Sequence, residues 1–543
     1  MVRPIALSAA IAISLLAVSG AGGAELQTPR RGGMVVFGPT GEPFCLNPLV
    51  SPCGYPPVVE KVLTPAFALA PDFTLKPRLV SGVVFTTKPP YTLTYRIRPE
   101  ARWSDGVAVT ARDFVFTHAA IRRLLPKNPD AAALQIHDRV QSIRALDSKI
   151  FRVVLRSRDA GWRGLFPTVL PRHALRGENL ETVWRDNIVN PKTGRPIGNG
   201  PFLVERWERG KQLTLVRNRN YWGPHVSYLD RVVVRFRETG GGTPLPSEVL
   251  ELLRAGKVDF AESRDTEIVA ELRAMPDVRV VPATLDGWEQ LSIRTGPGGH
   301  PALRDKRVRQ ALAYGIDRVA IVRRLFGVLD PRYRPSDSAI FLQRHASYRL
   351  NWARYRYRPA ESRRLLERAG CRRGADGIYV CAGSRLELRL FTTAGARVRE
   401  RTIELVQSQL RRVGVEVELG FVRGPVLFFQ LLPSGDFDLA SFTYFVSPDA
   451  SGKKDSLGCG GPQNYGGYCQ RLLTRDLDHS DRILDTDERG RVLNRADRQL
   501  AKDVPVIPLY EVPTVLAIRK TVRNVAGTSA SFFWNVEDWW LAK

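Results

Sequence analysis

The chain lacks most of the residue patterns that announce catalysis. Its 543 residues include only seven histidines, and none belongs to a metal-ligand or nucleophile motif. There is no G-x-S-x-G elbow, no H-E-x-x-H, no Walker loop and no G-x-G-x-x-G. Cysteine is sparse, at six, and never spaced C-x-x-C, so zinc ribbons and dithiol redox centres are excluded. Beyond the first residues no apolar run reaches the roughly 20 residues that span a bilayer as a helix. Two near-motifs of penicillin-recognising serine enzymes occur, S-x-x-K at Ser451 to Lys454 and K-T-G at Lys192 to Gly194. Their order is reversed and no S-x-N element lies between them, so chance accounts for both.

Acidic residues are also in deficit: 55 Asp and Glu against 81 Lys and Arg give a net charge of +26. A nucleic-acid binder concentrates its charge in blocks or along one helix face. Here arginine is dispersed from Arg30 to Arg523 with acids between, and the densest run (Arg307, Arg309, Arg318, Arg323, Arg324) falls within an amphipathic helical pattern. The reading is a solvated Arg-rich surface, without a nucleic-acid partner. Hydrophobic residues make up 43%, enough for buried cores, and the length suggests about three to four domains or one large interrupted fold.

What is present begins with an export signal. Arg3 precedes an apolar stretch from Ile5 to Val18, and the small residues Gly22, Gly23 and Ala24 offer a cleavage site before Glu25. Residues 1–24 read as a cleaved signal peptide. No cysteine follows the apolar run, which disfavours a lipoprotein, and the expected location is periplasmic or extracellular. The cysteines agree with an oxidising compartment. Their close pairing favours Cys45–Cys53, Cys371–Cys381 and Cys459–Cys469 among the fifteen possible connectivities, with reduced buried thiols as the alternative.

Helical and strand patterns alternate along the chain without an internal repeat, which reads as α/β. Leu93, Tyr95 and Ile97 alternate as a strand; Thr110 and Asp113 form an approximate capping box opening a helix with Phe114 and Phe116. Val232, Val234 and Phe236 mark another strand. Val308, Leu312, Ile316 and Val319 predict one helical stripe running to Gly327. A helix carrying Ile403, Val406 and Leu410 ends at Gly414, followed at once by an alternating strand through Val415, Val417, Leu419 and Phe421. Gly/Pro-rich segments at 191–201, 239–246 and 296–301 read as turns or linkers.

Three long segments carry a resemblance. WSDGVAVTARDFVFTH (Trp103 to His118), GNGPFLVERWERGKQLTLVRNRNYWG (Gly198 to Gly223) and LRDKRVRQALAYGIDRVAIV (Leu303 to Val322) occur in the order found in extracellular solute-binding proteins of the peptide-binding family, family 5. The chain resembles that family over nearly its whole mature length. The resemblance implies a type II periplasmic-binding-protein fold with two lobes joined by crossovers and an additional inserted domain. Lobe I would comprise 25–64, 200–285 and 511–543, the additional domain 65–199, and lobe II 286–510. Such a protein is expected to be a monomer without cofactor or catalytic residues. It would capture a peptide or other small solute between its lobes and deliver it to the permease subunits of an ABC importer with their ATPases. An exported hydrolase acting on a peptide-like substrate, or a peptide-holding chaperone on the same fold, are the alternatives.

For the cleft, DFDLASFTYFVSPDASG (Asp436 to Gly452) resembles the family's cleft-lining strand and loop. Members often place an Asp here that pairs with the α-amine of a peptide. This chain departs from that pattern: Tyr444 stands at the Asp position and Ser441 at the preceding aromatic one. Candidate ligand contacts are therefore Phe442 and Tyr444, with Asp449 as a possible substitute acid. Trp288 and Glu289 in GWEQLSIRT, Tyr55, and Asn464 with Tyr465 inside the Cys459 to Cys469 loop complete the set. A buried ammonium without its counter-charge costs several kcal/mol, so losing the Asp points to a blocked peptide or a non-peptide solute.

Overall fold

A computed structural model describes residues 28–50, 56–127, 132–237, 245–526 and 532–542. The expected signal peptide, Tyr55, and Cys53 of the Cys45–Cys53 pair lie outside the described residues. The organising element is a ten-stranded mixed sheet. In chain order its strands are β1 (Met34–Thr40), β2 (Phe202–Glu208), β3 (Gln212–Arg217), β4 (Arg231–Phe236), β5 (Phe260–Ser263), β6 (Val278–Ile293), β7 (Glu387–Thr393), β8 (Glu416–Val422), β9 (Leu439–Phe445) and β10 (Val506–Arg519). In space they run β8-β7-β9-β6-β10-β5-β1-β4-β3-β2. The non-consecutive order means that the chain crosses repeatedly between the two ends of the sheet.

The two longest strands, β6 and β10, hold the ends together. Val278–Thr284 of β6 pairs antiparallel with Arg519–Pro513, and Trp288–Ser292 pairs with Glu511–Val506. The register breaks between Thr284 and Trp288. Gly287 sits in this break under a steric requirement, since a Cβ there would lie 2.7 Å from the Tyr444 carbonyl oxygen and 2.8 Å from Thr443 Cγ2. On one side of the break the strands continue into a core built from residues between Val35 and Phe260 together with Leu516 to Trp539. On the other they enter a core made from Trp288 to Tyr510. The result is two lobes sharing one interrupted sheet.

Residues between the first two sheet strands form a second, four-stranded sheet, ordered Val80–Thr86, Tyr91–Ile97, Ile150–Leu155, Val140–Ala145. The helix Ala111–Leu124 packs on it through Phe114, stacked on Phe151, which also stacks on Tyr95. Thr110 and Asp113 make the expected capping box, the Thr110 amide donating to Asp113 Oδ2 at 2.7 Å. The WSDG segment is scaffold. Trp103 is fully buried, its amide donates to the Val107 carbonyl at 2.7 Å, and Gly106 turns the chain at φ +89°.

One helical expectation needs correction. The stripe through Val319 is two helices, Lys306–Gly315 and Arg318–Phe326, because the Asp317 side chain accepts from the Ala320 amide and starts a new N-terminus. The reorientation leaves Val319 60% exposed. The same region shows where part of the basic composition goes. Buried Arg309 donates to the carbonyls of Leu303, Arg304 and Asp503, and buried Arg318 to those of Ser336, Pro508 and Trp352. These guanidiniums spread their donors over backbone carbonyls in the interior. Cys371–Cys381 and Cys459–Cys469 are bonded, with Cα atoms 4.3 and 4.4 Å apart. No helix among the described residues is long and apolar enough to cross a membrane.

Candidate functional site

Strand alternation decides which candidates can act together. β6 and β9 pair antiparallel in the register Trp288↔Tyr444, Glu289↔Thr443, Gln290↔Phe442. Side chains of period two therefore divide between the faces of the sheet. Trp288, Gln290, Phe442 and Tyr444 line a small cavity of about 20 Å³ on one face, closed by Asn464 and Tyr465. Glu289, Thr443 and Phe445 line a cavity of about 540 Å³ on the other. The sequence candidates thus occupy two sites on opposite sides of one strand pair.

The larger cavity is walled by both lobes. Arg237 beyond β4 and Arg264 and Asp265 beyond β5 come from the first lobe; the turn Thr393 to Ala396 with Arg397 and Arg399 comes from the second. Tyr510, Val512 and Pro513 of β10 form the wall at the strand crossing. Three ion pairs bridge the lobes beside the cavity, two of them from Arg397, which lies 3.9 Å from Asp265 and 3.8 Å from Glu267. Arg401 also pairs with Glu267. Asp265 is 7% exposed and its Oδ2 accepts no hydrogen bond, and burial holds its carboxyl above the usual range.

Behind this wall lies a buried network. Glu289, 2% exposed, accepts from Arg399 Nε at 2.9 Å, Ser441 Oγ at 2.7 Å and Thr443 Oγ1 at 2.9 Å. Arg399 also donates to Thr393 Oγ1 and Thr443 Oγ1. Both carboxylate oxygens are engaged, so Glu289 fixes the cavity wall. Phe428 and Phe445 supply apolar surface at the same cavity, Phe445 being 61% exposed.

At the small cavity the polar groups are neutral side chains, with a buried lysine behind them. The Trp288 indole N–H is buried without an acceptor. The Tyr444 hydroxyl donates to Gln463 Oε1 at 3.3 Å, and the Lys453 ammonium lies 5.1 Å from the Tyr444 ring centroid. Lys453 is 3% exposed, and burial depresses it to about 8. No carboxylate lines this cavity. Asp449 lines neither site: its Oδ1 accepts from Ser447 Oγ and the Ser451 amide in a turn. Ser451 and Lys454 are not a catalytic pair, since Lys454 Nζ reaches Asp478 at 3.0 Å.

Sequence reasoning missed the arginines and Asp265 of the large cavity. They come from three separate segments and share no motif. The one available signal was the small-residue turn Thr393-Ala394-Gly395-Ala396 before Arg397, which leaves room beside a helix start. No group of three or more His, Cys, Asp or Glu side chains among the described residues is arranged to hold a metal ion.

Comparison with known proteins fits this architecture. A family model described as bacterial extracellular solute-binding proteins, family 5 middle, matches residues 74–457. The oligopeptide-binding protein AppA of Bacillus subtilis is 25% identical over 529 residues, covering 95% of this chain and 93% of that protein. The oligopeptide-binding protein OppA of Mycobacterium tuberculosis is 26% identical, covering 87% and 78%. Among solved structures, the periplasmic EDTA-binding protein EppA superposes with a TM-score of 0.84 at 23% identity, covering 95% of this chain and 98% of that one. AppA from Bacillus subtilis in complex with a nonapeptide gives 0.76 at 23% identity, covering 95% and 100%. The fold is that of type II periplasmic binding proteins, and the chain belongs to the bacterial extracellular solute-binding proteins of family 5.

Proposed function

We propose that this chain is the substrate-binding receptor of an ABC importer, taking a peptide or peptide-like solute between its lobes. The observation that carries the reading is the 540 Å³ cavity whose walls come from both lobes at the β6/β10 crossing. A solute touching both walls gains contacts only when the lobes are together, so it shifts the equilibrium toward the closed form. The closed form would then be presented to permease subunits with their ATPases. The lobe division given above, with 25–64, 200–285 and 511–543 against 286–510 and an inserted 65–199, belongs to the same proposal. So do a cleaved export signal, a periplasmic or extracellular monomer and the absence of turnover.

The solute is proposed to be a blocked or modified peptide, or a non-peptide solute, held in the large cavity against the wall fixed by Glu289, with Phe442, Tyr444, Trp288, Asn464 and Tyr465 proposed as a separate contact point at the small cavity on the other face of the strand pair. Support comes from the lining around Tyr444, which offers neutral polar groups but no carboxylate. A free ammonium there would meet no carboxylate in the cavity lining and would have the Lys453 charge behind the tyrosine ring. Tyr55 and Asp449 carry less support than the rest. Calorimetry with matched free and N-acetylated peptides separates the possibilities. Binding that survives or improves on acetylation is expected; tight binding abolished by acetylation would overturn the proposal.

A further inference from the structure

A further cavity lies in the second lobe. Its volume is about 400 Å³, and none of its lining residues lines the interlobe cavity. Its edges are the helix Arg318–Phe326 and two loops of related sequence, Arg332-Tyr333-Arg334 and Arg354-Tyr355-Arg356-Tyr357. Alternation of arginine and tyrosine divides the work. The Tyr333 hydroxyl donates to the Glu511 carbonyl at 2.7 Å and the Tyr355 hydroxyl to that of Ala501 at 2.6 Å, so the tyrosines anchor the loops inward. The arginines are left outside.

The charges in this groove do not cancel. Arg323, Arg334 and Arg356 are all exposed, and among the described residues their guanidiniums have no hydrogen bond or ion pair. Arg332 is held by Asp330, Nε to Oδ1 at 3.1 Å. The acids present are committed: Asp337 pairs with buried Arg318 at 2.8 Å, and Asp317 caps the helix. Three free guanidiniums thus face one capping carboxylate around a recess with apolar walls at Val319, Pro331 and Pro335. Each guanidinium offers a planar fork of donors. A lone carboxylate has two oxygens and one charge, whereas a phosphate group has more acceptor oxygens and can satisfy several forks together.

We propose that this groove is a second binding site, for a phosphate-type oxyanion, with Arg323, Arg334 and Arg356 as its ligands. The oxyanion is either a free phosphate compound or a phospholipid headgroup. The test uses the full mature protein, the variant Arg334→Glu/Arg356→Glu, and a control of equal charge change, Arg372→Glu/Arg475→Glu, at exposed positions outside the groove. Pyrophosphate is titrated by calorimetry at low salt, and vesicles of phosphatidylglycerol or phosphatidylcholine are tested by co-sedimentation. Saturable 1:1 pyrophosphate binding weakened at least tenfold in the groove variant, and less than twofold in the control, supports a free-phosphate site. Phosphatidylglycerol-dependent sedimentation lost only in the groove variant supports a headgroup site. Binding of neither probe, or equal weakening in both variants, overturns the proposal. Solute binding in the interlobe cavity is expected to be the same in all three proteins, so this site and the proposed transport role fail independently.

Discussion

Replacing Arg399 by alanine tests whether the cavity wall is held by a buried ion pair. Glu289 is 2% exposed and the Arg399 side chain 17%, so solvent screens the pair only slightly. In the variant the carboxylate keeps the Ser441 and Thr443 hydroxyl donors but loses its only cation within 4 Å. Breaking a buried pair from one side costs about 3 to 5 kcal/mol, and the two remaining donors place this case near 3. Glu289→Gln in the same background removes the uncompensated charge and should recover at least about 1 kcal/mol. Urea unfolding followed by tryptophan fluorescence on wild type, both single variants and the double variant gives the coupling energy directly. A single variant within about 1 kcal/mol of wild type, or a coupling near zero, would refute the reasoning.

Other consequences can be checked in the same way. Lys453 releases its proton near 8 in the folded chain and near 10.4 when unfolded, so the unfolded state binds more protons between those values. Stability should therefore rise with pH across that window by about 3 kcal/mol, and Lys453→Met should abolish that part of the slope in urea titrations; equal slopes would contradict the assignment. The Cys459–Cys469 bridge closes a short loop that brings Asn464 and Tyr465 to the small cavity. Cys459→Ser/Cys469→Ser should lose about 3 kcal/mol by loop-closure entropy, and reducing agent should then have no effect at this loop. Gly287→Ala pushes a methyl group against the Tyr444 carbonyl and Thr443 and should cost about 1 to 3 kcal/mol in thermal or urea unfolding; a neutral result would show that the strand break is looser than its contacts imply.

Local chemistry was legible in the sequence wherever a residue's partners were close in the chain. The Thr110 capping box, the helix ending at Gly414, and the Cys371–Cys381 and Cys459–Cys469 loops all depend on partners within about a dozen residues. The helix break at Asp317 was missed because a continuous apolar stripe and a new N-cap compete at the same place, and the cap prevailed. Trp288 and Glu289 were grouped as neighbours, although strand period alone sends them to opposite faces. The cavity wall of Arg264, Asp265, Arg397 and Arg399 could not be read in advance. It exists only because β6 and β10 cross between the lobes and bring together segments more than 100 residues apart.

The central claim is that the interlobe cavity holds a solute. Native mass spectrometry of the protein after exposure to a small-molecule extract of its own host, beside the cavity-filling variant Ala396→Trp, measures this directly. The account predicts one small solute per wild-type chain and none on the variant. No retained solute, or equal retention by both proteins, would contradict it.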